Sequence, residues 1–309
     1  MITKITYLFI IAHLSGIYAR AAPKFETLLI KDLPYADSNN PKQELDLLLP
    51  LGTTGNSTKP LVVWIHGGGW KSGDRKSGMR SNRLPQIVST GKFIGASISY
   101  RLSGQSRWPA QIHDCKAAIR WLRGNALKYG IDTERIAVWG SSAGGHLAAM
   151  LGLTSGVQEL EGGIGNHRMQ STRIHAVVNY YGPSSFLTMD DFPGKIIHNS
   201  SHSPESMLIG GPVQKRKKIA RQASPISHVS PDDCPHLLFH GIQDPLVPSN
   251  QSEILRQSLA KNRVAHALIS VRPGKHSMPS SFTNQFVLPF LLHQFFGVGD
   301  FPEDQVIQN

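Results

Sequence analysis

The stretch RIAVWGSSAGGHLAAML, Arg135–Leu151, decides the fold. Its first part, Arg135 to Trp139, is a short apolar run of the kind a buried strand needs. Its second part, Ser142 to Leu151, is rich in small residues and reads as a helix. Between them, Gly140-Ser141-Ser142-Ala143-Gly144 fits the pattern G-x-S-x-G. A strand, a sharp turn and a helix in that order thrust the central serine out of a sheet. The flanking positions need glycine because strand and helix crowd against the turn. The helix N-terminus behind the serine favours negative charge. Alone, the pentapeptide is a weak signal, and an ordinary Gly/Ser turn is the alternative.

Working outward, other short apolar runs repeat the strand pattern. Glu26 to Ile30 and Glu44 to Leu49 read as opening strands, followed by Leu61 to Ile65 and Phe93 to Tyr100. Ile174 to Tyr180, His236 to Phe239 and Ala267 to Val271 follow the serine turn. Ala110 to Tyr129 has helical spacing, with Ile112, Cys115, Ile119 and Leu122 on one stripe, Pro109 ahead and Gly130 as a stop. Further helices are expected over Asn250 to Asn262 and Ser280 to Phe296. Strands alternating with helices imply an α/β fold, a mostly parallel sheet covered on both faces. Ligands in such sheets bind at the carboxyl ends of strands. The stretch from Gly182 to Pro231 breaks the alternation and reads as a cap inserted over the site, within one domain spanning residues 22–309.

The strand-end loops carry chemistry. After Ile65 comes His66-Gly67-Gly68-Gly69-Trp70, a far more specific signal than the serine pentapeptide. Glycines let backbone N–H groups approach a ligand, and amides of Gly68 and Gly69 with that of Ala143 can hold a developing oxyanion. The Trp70 amide is the substitute candidate. The Lys-Ser/Thr ending of a phosphate loop is missing. A serine hydroxyl needs a base, and the base needs an orienting carboxylate. Asp244 follows the strand His236 to Phe239, and His276 follows the strand Ala267 to Val271. This gives the order Ser142, Asp244, His276, with the last two one βα unit apart. Taken singly, Asp244 is a loop carboxylate and His276 a surface histidine. Among the rival histidines, His66 and His240 read as structural, His146 lies on the helix after the serine, and His198, His202 and His228 fall in the cap.

Composition narrows the classes. The chain has 309 residues and a net charge of +11, part of it in the run Lys215-Arg216-Lys217-Lys218. No stacking aromatics or nucleic-acid motif accompany that run, so it reads as a solvated helix face and no nucleic-acid partner is expected. Residues 1–21 read as a secretory signal peptide, with an uncleaved anchor as the alternative, and no stable membrane span is expected. Secreted or periplasmic placement follows. Cys115 and Cys234 are widely spaced and read as free thiols. No metal spacing or dinucleotide fingerprint appears, so no cofactor or metal is expected. Asp190-Asp191 and Asp232-Asp233 read as surface or capping residues.

With these pieces in place, the chain resembles the α/β-hydrolase carboxylesterases near the hormone-sensitive lipase group. It is most similar to the branch with the bifunctional acetylxylan and feruloyl esterases. The resemblance rests on His66–Trp70, Gly73-Asp74, Tyr100-Arg101-Leu102, Pro109 to Arg123 and Gly140 to Leu147. It continues through Tyr181-Gly182-Pro183, Ser203 to Gly211, Ala223-Ser224-Pro225, His240 to Pro248 and Gly274 to His276. It implies Ser142, Asp244 and His276 as a catalytic triad acting by acyl transfer on a small-molecule or polysaccharide ester. The chain departs from many relatives at Ser277-Met278, where they carry Gly, and at Ile242 or Gln243, where they carry an acid. An amide hydrolase on the same scaffold and a non-catalytic binding protein are the other readings.

Overall fold

The computed structural model describes residues 24–53, 57–192 and 194–308. The signal-peptide reading of residues 1–21 therefore lies outside the described residues. Nine strands form one sheet: β1 Thr27–Pro34, β2 Glu44–Pro50, β3 Lys59–Ile65, β4 Ile94–Ile98, β5 Ile131–Ser141, β6 Ala176–Tyr180, β7 His236–Gly241, β8 His266–Arg272 and β9 Gln305–Gln308. Their order is β1-β2-β4-β3-β5-β6-β7-β8-β9. β2 runs antiparallel to both β1 and β4, and all pairings from β4 through β3 to β9 are parallel.

Both sheet faces are covered, and the strands alternate between two cores. Leu61, Val63 and Ile65 of β3, with Ile136 and Val138 of β5, face one core; Val62, Trp64, Ala137 and Trp139 face the other. Period-two alternation sends successive side chains to opposite faces, so a strand buried on both sides needs apolar residues throughout. Trp64 and Trp139 meet edge to face at 5.2 Å between ring centres. The first core takes the helix Ala110–Gly124 through Ile112, Cys115, Ile119 and Leu122, all buried. It also takes Leu147, Met150 and Leu151 of the helix Ala143–Leu153. The second core is closed by Phe286 and Val287, with Phe290 and Leu291 of the helix Leu288–Phe296.

Several elements differ from expectation; the helix expected over 280–296, for one, opens as a π-helical turn, Thr283–Val287, before the α-helix Leu288–Phe296. The helix over 110–129 is broken: Asn125 leaves helical geometry, and a separate turn, Ala126–Tyr129, ends on Gly130 at φ +69°. The strand β9, Gln-Val-Ile-Gln, is short and largely exposed at the sheet edge, so no buried apolar run announces it. Cys115 and Cys234 are both free, and burial pushes the Cys234 thiol up to about 12. Among the described residues, no helix is long and apolar enough to cross a membrane.

Candidate active site

β5 ends at Ser141 and the next helix begins at Ala143, leaving Ser142 alone on the turn at φ +56°, ψ −123°. A non-glycine residue at positive φ costs on the order of 1–3 kcal/mol and persists only where its surroundings hold it. Here the Ser142 N–H donates to the Tyr180 carbonyl at 2.8 Å, and the Ser142 carbonyl accepts from His146 N–H at 2.9 Å. Gly144 is required because a Cβ there would overlap the carbonyl oxygens of Ile65 and His66.

The glycine loop follows β3 directly. Gly68 sits at φ +110°, and an added Cβ would run into the Ser72 carbonyl. The amides of Lys71 and Ser72 both donate to the Gly68 carbonyl at 3.1 Å and fix the loop. Among the described residues, the amides of Gly68 and Gly69 donate no hydrogen bond. The Ala143 amide, first in its helix, has no intrahelical acceptor. Trp70 also adopts positive φ, and its indole N–H donates to Nδ1 of buried His146 at 3.2 Å.

Asp244 and His276 come from the loops after β7 and β8. Asp244 Oδ1 accepts from the amides of Leu246 at 2.8 Å and Val247 at 3.1 Å. Its Oδ2 lies 2.6 Å from His276 Nδ1. A carboxylate only accepts, so Nδ1 carries the proton and Nε2 of His276 keeps a lone pair. The Tyr181 ring backs His276 at 4.4 Å between ring centres. Burial raises the pKa of Asp244, but hydrogen bonds from His240 and His276 outweigh it and hold the carboxyl well below its usual range. His240 is the partner that the sequence did not single out. Its Nε2 lies 3.0 Å from the Val247 carbonyl and 3.3 Å from Asp244 Oδ2, while the Ser252 hydroxyl sits 2.7 Å from its Nδ1. The His240-Gly241 pair at a strand end was visible in the sequence, but not its second bond to Asp244.

Ser142, His276, Gly67, Gly68, Gly69, Trp70 and Ala143 all line one cavity of about 420 Å³. Among the described residues, no hydrogen bond joins the Ser142 hydroxyl to His276; in unliganded sites such contacts are commonly long and tighten when substrate enters. Most of the other histidines are occupied elsewhere. His66 stacks on Tyr100 at 4.2 Å, its Nδ1 is 2.7 Å from the Gly67 carbonyl, and burial pushes its pKa down to about 4. His146 bridges Trp70 to the Ala223 carbonyl, 2.7 Å from its Nε2. His293 bonds the Gly299 carbonyl and His228 that of Gln222. His198 alone among the histidines of the 182–231 segment reaches the cavity wall, together with Glu205. The run 215–218 is exposed, and its helix begins only at Lys217.

The strand order, the serine turn after β5 and the loops after β7 and β8 define an α/β-hydrolase fold. The BD-FAE family model matches residues 45–259, and the chain belongs to that family. The match takes in Ser142 and Asp244 and stops before His276. The structure is similar to a truncated carbohydrate esterase from gut microbiota, with 31% identity and a TM-score of 0.80, covering 89% of this chain and 98% of that one. It is also similar to a bifunctional GH43-CE protein of Bacteroides eggerthii, with 33% identity and a TM-score of 0.78, covering 86% of this chain and 35% of that one. The probable carboxylic ester hydrolase LipM of Mycobacterium tuberculosis is 31% identical over 68% of this chain and 48% of its own length. This chain spans about half the length of the curated relatives it matches.

Proposed function

We propose that the protein is a serine carboxylic-ester hydrolase in which Ser142, Asp244 and His276 form the triad and Gly68, Gly69 and Ala143 supply the oxyanion amides. One observation carries this reading. A carboxylate-bound imidazole opens onto the same cavity as a strained serine, and among the described residues neither its Nε2 nor the Gly68 and Gly69 amides make a hydrogen bond.

The proposed steps use these groups in turn. His276 takes the Ser142 proton as the serine oxygen attacks the ester carbonyl. The carbonyl oxygen becomes an anion, and the three amides receive it in a site partly closed to water. Asp244 holds the imidazole in the tautomer that accepts at Nε2 and stabilises the imidazolium. His276 then gives its proton to the leaving alcohol, and water repeats the cycle on the acyl-enzyme. Carbohydrate esters are the proposed substrates, supported by the names of the two solved relatives and by the export reading of residues 1–21. The segment 182–231 is proposed as a cap within the same domain, supported by Ile196, His198, Pro204 and Glu205 on the cavity wall.

The test is a panel of p-nitrophenyl esters of rising acyl length, with acetylated xylan, a feruloyl ester and an aryl formamide. Short acyl esters are hydrolysed faster than the formamide, and Ser142→Ala loses at least about a thousandfold in turnover. A formamide preference would move the reading to amide hydrolysis. Near-wild-type ester turnover by Ser142→Ala would remove the serine mechanism.

A further inference from the structure

The cavity wall carries a second polar constellation that the triad does not use. His198 and Glu205 are 1% and 3% exposed, and both line the cavity. His198 Nδ1 lies 3.0 Å from Glu205 Oε2, but without the alignment of a hydrogen bond. Both imidazole nitrogens and that carboxylate oxygen are therefore buried with no hydrogen-bond partner among the described residues. Nδ1 and Oε2 face each other at ion-pair distance, while Nε2 has no such neighbour among the described residues; leaving a buried polar group unpaired costs on the order of 1–3 kcal/mol. Proteins seldom retain that cost unless a ligand meets the groups.

The pair is held by a built scaffold. Asp190 accepts from the amides of His198 and Asn199, each at 2.7 Å. The Ser203 hydroxyl donates to the His198 carbonyl at 2.7 Å and accepts from the Ser206 amide at 3.0 Å. That second bond caps the helix Pro204–Ile209, whose first turn holds Glu205. Pro204 packs against the glycine loop, since a Cβ on Gly69 would stand 3.4 Å from Pro204 Cβ. The pair thus flanks the amides proposed for the oxyanion, on a backbone tied at both ends.

We infer that His198 and Glu205 form a specificity-determining subsite that hydrogen-bonds the hydroxyl groups of the alcohol portion of the ester, as a sugar ring presents them. A carboxylate accepts from hydroxyls, and an imidazole can donate to or accept from one, so adjacent hydroxyls match the pair. Pro183, Ile196, Leu246 and Val247 make other parts of the wall apolar, while Lys71, Ser72, Ser141 and Tyr181 add further polar side chains to it. A site built to bond substrate hydroxyls rejects an analogue lacking them far more sharply than an apolar pocket rejects a changed methylene. The inference rests on the ester-hydrolase reading and names what that site selects.

The experiment compares kcat/KM for an acetylated xylobiose and for phenyl acetate, which share the acyl group and differ in hydroxyls. Glu205→Gln keeps the shape and loses the charge. The xylobiose-to-phenyl ratio of kcat/KM is expected to fall at least tenfold in Glu205→Gln, with the larger part of the change in KM. Should that variant not fold, by thermal melting, His198→Asn is read the same way. A ratio unchanged within twofold, with phenyl acetate still hydrolysed, overturns the subsite and leaves the hydrolase reading standing. Wild-type protein that hydrolyses neither ester overturns the hydrolase reading, and the subsite with it.

Discussion

The loops at the carboxyl ends of β3, β5, β7 and β8 and the segment 182–231 line the same cavity, yet opposite means build them. In the strand-end loops the backbone dictates the residue. Gly68 and Gly144 stand where any side chain collides with a carbonyl oxygen, and Ser142 occupies a turn held by Tyr180 and His146. In the 182–231 segment side chains dictate the backbone. Asp190 and Ser203 gather loop amides and carbonyls that no ladder serves. A backbone constraint leaves a short contiguous pattern in the sequence. A side-chain constraint joins residues eight and nine apart, as Asp190 joins His198 and Asn199, and leaves none.

That difference explains what the sequence disclosed. The strands from β1 to β8 were legible from short runs rich in apolar residues, which two-sided burial demands most strictly of β3 and β5. The fold class followed from their alternation with helices. Ser142, Asp244 and His276, the proposed triad, stand out in the sequence because they fall just after strands, in chain order; the structure places Asp244 Oδ2 2.6 Å from His276 Nδ1. The edge strand β9 was not legible, since Gln305 to Gln308 pair with β8 while remaining largely exposed. The break at Asn125 was hidden by an apolar stripe that runs past it. His240 was set aside as structural, because nothing in the sequence says that Nε2 reaches Asp244 as well as Val247. The helix Pro204–Ile209, inside a stretch that reads only as a break in the alternation, starts with a serine cap, a proline and an acid, and nothing in that pattern says that the acid turns inward to be buried.

The largest expected effect separates the two regions. Asp244→Asn preserves the shape and removes the charge that fixes the His276 tautomer. Turnover of a short acyl ester should fall by about a thousandfold to ten-thousandfold, far more than any change in the 182–231 segment causes. Steady-state kinetics check this, and a loss under tenfold would place His276 outside the mechanism.

A smaller effect lies at the seam. Neutral His146 accepts from the Trp70 indole on one side and bonds the Ala223 carbonyl on the other, tying the glycine loop to the 182–231 segment. Burial pushes its pKa from 6.5 down to about 4. A histidine depressed in the folded state contributes stability that is fully present above its unfolded pKa. That stability drains away as pH falls from 6.5 toward 4, where the folded protein binds the proton too. The loss attached to this one group is on the order of 1–3 kcal/mol. His66 and His236, also pushed down to about 4 by burial, act in the same direction. Urea midpoints at pH 7.5 and 4.5 test it: His146→Gln should show a smaller drop than the wild type. Equal drops would mean that His146 does not couple the seam to pH.

On the proposed mechanism, the hydroxyl on the turn after β5 is an activated nucleophile. A fluorophosphonate probe followed by peptide mapping measures that without any choice of substrate. One covalent adduct is expected, on Ser142, lost in Ser142→Ala and strongly slowed in His276→Ala. No adduct on folded wild-type protein, or one that persists on another residue in Ser142→Ala, would contradict it.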